Sequence, residues 1–220
     1  MRKMLSVTTV AVCALALSLA APASAQGPQG SRGSDVLRAN LQPVPHDPMA
    51  DAGSNVTGRA KLVVKDGQVR VSVKANGLSP NLPHAMHIHG ELQARNECPS
   101  LAADANNDGL IDTLEGLPAY GPIDVSLTTS GGTSGEFSDA LALDRFPVAD
   151  KNGKLRYKRT IAIPSEFINA LDDLHIVVHG ADLNGNGAYD FEAGTSSLSG
   201  PVGADVPLEA ELPVACGTIR

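Results

Sequence analysis

The 220-residue chain predicts an all-β fold, a sandwich or barrel with long loops. Three observations carry that expectation. From residue 55 onward, short runs alternate apolar and polar residues with a period of two, as strands with one buried face do. Gly, Asp and Asn punctuate the runs, and helical patterning is thin. With four Phe, three Tyr and no Trp, the core falls mainly to Val, Leu, Ile and Ala. Such a pattern belongs to layered sheets.

The chain opens "MRKMLSVTTVAVCALALSLAAPASAQ", with a basic start, an apolar run and the small residues Ala23-Ser24-Ala25. This predicts a secretory signal peptide over residues 1–25, cleaved near Ala25, and an extracellular product. Cys13 follows Val12, where a lipoprotein signal needs a small residue, so no lipid anchor is expected. Residues 26–50 are rich in Gly, Pro and polar side chains and read as a flexible leader, in which His46 is a solvated loop histidine. The domain proper is expected over residues 51–220.

Its elements follow in order. "RAKLVVKDGQVRVSVKANGL" reads as two strands turning at Asp66-Gly67, a strong hairpin signal. "HAMHIHGEL" reads as a third strand, and "IDVSLTTS", "LRYKRTIAIP" and "DLHIVVHGADL" as further ones. "PSEFINALDD" suggests one or two helical turns.

Loss of Arg2 and Lys3 with the signal takes the formal charge from −7 to −9, which argues against a nucleic-acid partner. No second apolar run is long enough to span a membrane as a helix. Cys98 and Cys216 remain as an even pair, and a disulfide is the economical reading for an oxidising compartment. No nucleophile elbow or phosphate-binding loop occurs. Asn55-Val56-Thr57 is a formal glycosylation sequon.

Three of the six histidines fall in "HAMHIHG". Side chains two apart on a strand share a face at ~7 Å, so His87 and His89 can turn both rings to one metal, while His84 points the other way. His175 and His179 also share a face, but ~13 Å of strand separates them, too far for one ligand shell. A lone strand histidine is most often a hydrogen-bonded structural residue, the reading for His84 and His175. An H-x-H pair of neutral imidazoles suits copper or zinc.

At these residues the chain resembles the copper/zinc superoxide dismutase family. "DGQVRVSVKANGLSPNLPHAMHIHG" is similar to that family's hairpin and Gly-Leu turn leading into a histidine-rich strand. Cys98 stands nine residues after His89, "HIVVHG" resembles the strand ending in a further copper histidine, and "VACGTI" resembles the segment with the second disulfide cysteine. The resemblance implies a Greek-key, immunoglobulin-like β-sandwich or barrel, copper ligands His87, His89 and His179, a Cys98–Cys216 disulfide, and a structural His84. It also departs. No histidine lies between Cys98 and His175, so the bridging and zinc histidines are missing and zinc is not expected. Pro213 stands where the family places the arginine that guides its anionic substrate.

The vacated loop reads "DANNDGLIDTLE", a calcium-loop pattern with Asp104, Asn106, Asp108, Asp112 and Glu115 around a turn at Gly109. A second loop directly follows His179 and offers Asp182, Asn184, Asn186 and Asp190. Its Glu192 is one place early, so a weaker site is expected. The sequence therefore predicts a secreted, copper-binding, superoxide dismutase-like protein carrying calcium in its loops. A small oxidant such as superoxide is its candidate partner, with weak or absent dismutation. The competing expectation is a calcium-stabilised extracellular adhesion or matrix module without catalysis.

Overall fold

A computed structural model describes residues 35–47, 55–90, 94, 95 and 97–220. The expected signal peptide, the first part of the leader and positions 91–92 of the expected third strand lie outside them. Eight strands follow one another: β1 (Asp35–Pro43), β2 (Thr57–Lys65), β3 (Gln68–Asn76), β4 (Met86–His89), β5 (Ile123–Ser126), β6 (Leu155–Ala162), β7 (His175–His179) and β8 (Pro213–Thr218). All pair antiparallel in the order β5-β4-β7-β8-β1-β2-β3-β6.

β1 joins two halves. Residues 35–41 pair with β2, and Gln42 and Pro43 pair with β8, so one strand serves both and the sheet curls on itself as a sandwich. The connections β3–β4, β5–β6 and β6–β7 cross between the halves, as Greek-key chains do. The fold class read from the sequence holds.

The hairpin forms as the Asp-Gly pair requires. Asp66 and Gly67 take φ values of 51° and 74°, the double left-handed geometry of a type I′ turn. β2, β3 and β6 bury alternate residues, among them Leu62, Val71, Val73 and Leu155, and expose the others.

β1 corrects the leader. Leu37, Ala39 and Leu41 turn inward while Arg38, Asn40 and Gln42 turn out, a period-two pattern hidden by the Gly and Pro residues around it. His46, just beyond, is not solvated. It is 3% exposed, and its Nε2–H donates to the Pro213 carbonyl while its Nδ1 accepts from the Ile111 amide, both at 2.9 Å.

β4 and β7 are buried on both faces. Met86, Ile88, Ile176 and Val178 enter the main core. The opposite face carries the histidines and is covered by the long loops, where Val44, Ile111, Tyr120, Val177 and Cys216 make a smaller apolar cluster. The Cys98–Cys216 disulfide, Cα–Cα 5.7 Å, fastens the first of these loops to β8. The same loop holds an unanticipated helix, α1 (Thr113–Tyr120), started by a capping box in which Asp112 and Glu115 exchange hydrogen bonds. "PSEFINALDD" forms one short helix and a 3₁₀ turn.

Candidate metal centre

Strand pairing assembles three histidines. β4 lies beside β7 with His87 opposite Val177 and His89 opposite His175. The chain bulges between Val178 and His179 at the β7 end, and His179 joins the H-x-H pair. The ring centroids stand 5.1 to 5.7 Å apart. Each ring offers a nitrogen, and all three nitrogens lie within 4.8 Å of one another.

Backbone carbonyls fix the tautomers. His87 Nε2–H donates to Ala140 at 3.0 Å, His89 Nδ1–H to Gly121 at 2.9 Å, and His179 Nδ1–H to Glu211 at 2.7 Å. The remaining nitrogens, His87 Nδ1, His89 Nε2 and His179 Nε2, are buried and have no hydrogen-bond partner. A buried, unpartnered acceptor costs about 1–3 kcal/mol, and three that converge could hold a metal ion. Outer hydrogen bonds of this kind are what orient ligating histidines. Desolvation holds His87 well below the usual histidine range, His89 at about 3 and His179 at about 4. The lone pairs are therefore not lost to protons at neutral pH.

Neighbours set the ring planes. Tyr120 packs edge-on against His89 at 4.6 Å and Phe146 against His87 at 5.4 Å. Gly180, at φ 105°, is required where it stands, because a Cβ there would lie 2.2 Å from the Tyr189 hydroxyl. His84, just before β4, lies between the carbonyls of His179 and Ser79, each at 3.0 Å. His175 is fully buried across from His89 and is not part of the three-histidine group.

A cavity of about 220 Å³ opens beside His87 and His179. Leu141, Leu143, Leu198 and Val206 give it apolar walls, Asp205 and Glu211 are its acids, and no Lys or Arg lines it among the described residues. Pro213 pairs with His179 on β8, so no cation stands there either.

Two glutamates missed in the sequence reading tie the loops to this centre. Glu211 accepts from the Thr113 amide at 2.8 Å, and its second oxygen is buried without a partner. Burial raises its pKa to about 7. Glu209 takes the amides of Leu183 and Asp190, at 2.8 and 2.9 Å. The alternation of acids in "PLEAELP" was the available signal.

The acidic loops fold around their own carboxylates. Asp104 accepts from the amides of Asn107 and Gly109, Asp108 from Leu110, and Glu115 from Ala105, Asn106 and Asp112. In the second loop Asp182 accepts from Asn186 and Gly187, and Asp190 accepts from the Asn184 side chain.

No family model matches the chain. Over 102 residues it is 28% identical to the Cu-Zn superoxide dismutase of Paramecium bursaria Chlorella virus 1, a match covering 46% of this chain and 44% of that protein. The chain thus spans less than half the length of the relative it matches. Together with the sandwich, the disulfide and the histidine triad, this makes it distantly superoxide dismutase-like.

Proposed function

We propose that this is an exported copper-binding protein in which His87, His89 and His179 hold the ion, with superoxide dismutation weak or absent. The observation that carries the reading is the convergence of three buried imidazole nitrogens, each left without a partner by a backbone bond on its other side. Imidazole donors suit copper, and copper held there would supply one-electron exchange toward a small oxidant such as superoxide. The protein's own part is to keep the tautomers fixed, exclude bulk water and restrict access to a small cavity. Its acids and the missing cation oppose an approaching anion. Export is supported by the basic–apolar–Ala-Ser-Ala start and by the disulfide.

The two acidic loops are proposed calcium sites that stiffen the cover of the centre. The alternating oxygens of Asp104, Asn106, Asp108 and Glu115 support the first, and those of Asp182, Asn184, Asn186 and Asp190 the second. The alternative is a calcium-stabilised extracellular module without catalysis.

Isothermal titration with copper, followed by a superoxide-consumption assay on the loaded protein, separates these readings. One tight copper per chain with at most slow dismutation is expected. Each of His87→Ala, His89→Ala and His179→Ala should abolish the tight site. Failure to bind copper would leave the calcium-stabilised module without catalysis. For calcium, chelation should lower the melting temperature and Asp108→Ala should remove most of that shift; a melting curve indifferent to calcium would end the proposal for the loops.

A further inference from the structure

We infer that the solvent face of β1, β2, β3 and β6 is a binding surface for an acidic polysaccharide. The face is read directly from the register. One row across the strands is Asn40, Arg59, Lys74, Arg156, and the next is Arg38, Lys61, Ser72, Lys158. A third ends on Arg70 and Thr160, and Lys65 closes β2. Eight cations therefore share one face, all of them exposed, and none takes part in an ion pair among the described residues. The one acid within these four strands is Asp35, exposed at the first position of β1 and out of step with the outward residues Arg38 and Asn40; Asp66 and Asp150 lie in turns at the strand ends.

This is an unusual segregation. The whole chain has 17 Lys and Arg against 24 Asp and Glu, so nearly half of its cations occupy one face of an acidic protein. The net charge, which argues against a nucleic-acid partner, averages this face away. Arg38 stands directly opposite Lys61, Arg59 opposite Lys74, and Lys74 opposite Arg156. Like charges facing across a sheet destabilise it, and interspersed acids would relieve that. A polyanion laid on the face would do so instead.

The chemistry of the partner follows from the rest of the face. Strands ~4.8 Å apart and outward residues ~6.8 Å apart along each strand make an open lattice of point charges. That lattice suits an extended, repeating anion. A polar depression of about 440 Å³ lies at one end, where Asn40, Gln42, Thr57 and Asn76 stand beside Arg59 and Lys74. Amides and hydroxyls next to cations match the hydroxyl and carboxylate or sulfate groups of a sugar chain. No aromatic residue points outward from these strands to stack on a base, and no large apolar side chain beyond the valines is there to enter a bilayer. The histidines lie on the other half of the sandwich, so a polymer held here leaves them uncovered.

The test is titration of the purified protein with polygalacturonate and with dextran sulfate, with neutral dextran as control, from 50 mM to 500 mM NaCl, over which the Debye length falls from roughly 14 Å to roughly 4 Å. Binding of at least one polyanion, none of dextran, and a steep loss with salt are expected. The triple variant Arg59→Gln/Lys74→Gln/Arg156→Gln should bind at least tenfold more weakly while melting at the same temperature or higher. Arg95→Gln, at an exposed arginine in the loop beyond β4 on the other half of the sandwich, should bind as the parent does. No binding of either polyanion at 50 mM salt, or undiminished binding by the triple variant, overturns the inference. So does tighter binding of a single-stranded oligonucleotide or of phosphatidylglycerol vesicles, which would give the face to a different class of partner.

Discussion

A single carboxyl group shows how the centre is built. The main-chain carbonyl of Glu211 orients His179, and its side chain holds the first turn of α1 through the Thr113 amide. Burial raises this carboxyl to about 7. A raised folded-state pKa means that the native protein keeps a proton which the unfolded chain gives up above the ordinary glutamate value of ~4.3. Its contribution is therefore intact in acid and falls as pH rises toward 7. Glu211→Gln keeps the shape and removes the charge. The metal-free variant should be more stable than the parent at pH 8 and indistinguishable from it at pH 4, measured by urea unfolding at both values. Equal stability at pH 8 would mean that the carboxyl is solvated. Glu211→Ala keeps the carbonyl that orients His179 and drops only the side-chain contact with the Thr113 amide, so it should destabilise α1 while weakening copper binding by less than the ~10-fold that losing a group bonded to the ligand costs.

At the scale of elements, the loop from Cys98 to Tyr120 covers the histidine face and is fixed at both ends. The disulfide spans 118 residues, and the chain-entropy model gives on the order of 4 to 5 kcal/mol for such a loop. Reduction should lower stability by a substantial part of that and free the cover from β8, read as faster hydrogen exchange of the 98–121 amides. Unaltered exchange would show that the cover is held by its apolar cluster alone. At the far end Asp112 caps α1. Asp112→Ala should cost about 1 kcal/mol even with calcium chelated, because the cap acts without a cation. A loss confined to calcium-containing buffer would assign Asp112 to the ion instead. The Asp-x-Asx pattern was legible in the sequence, whereas the helix was not. The residues that begin it, Asp112 and Glu115, also complete the calcium-loop spelling, and α1 holds Pro118, a residue that ordinarily breaks a helix interior.

For the whole molecule, acid is the weak side. His46, His84, His87, His89 and His179 are all buried, with pKa values lowered chiefly by desolvation. The unfolded chain takes up protons on these rings below about 6.5, while folded His179 and His89 wait until about 4 and about 3. Metal-free protein should thus lose stability as pH falls from about 6.5 to about 4, by roughly 1.4 kcal/mol per pH unit for each ring that stays neutral. Glu211 opposes this with one proton. On the proposed function, copper held by the triad would move the transition to lower pH, since a metal binds only neutral rings. A midpoint that does not move between pH 7 and pH 5 would contradict the burial of the triad.

The sequence by itself determined whatever depends on neighbours along the chain. Period-two alternation marked the strands, Asp66-Gly67 set the hairpin, and the H-x-H spacing put two imidazoles on one face. The tertiary structure decided what depends on residues far apart. The carbonyls that leave His87, His89 and His179 each with one free nitrogen come from 53, 32 and 32 positions away. The pairing of β4 with β7 brings the third ring to the first two, and β1 became a strand only because β2 and β8 both supply partners for it. The basic face exists only once four strands lie in register, since no single strand carries more than three of its eight cations. Local pattern fixes which way a side chain points within its own strand; strand pairing and loop closure decide which distant groups it meets there.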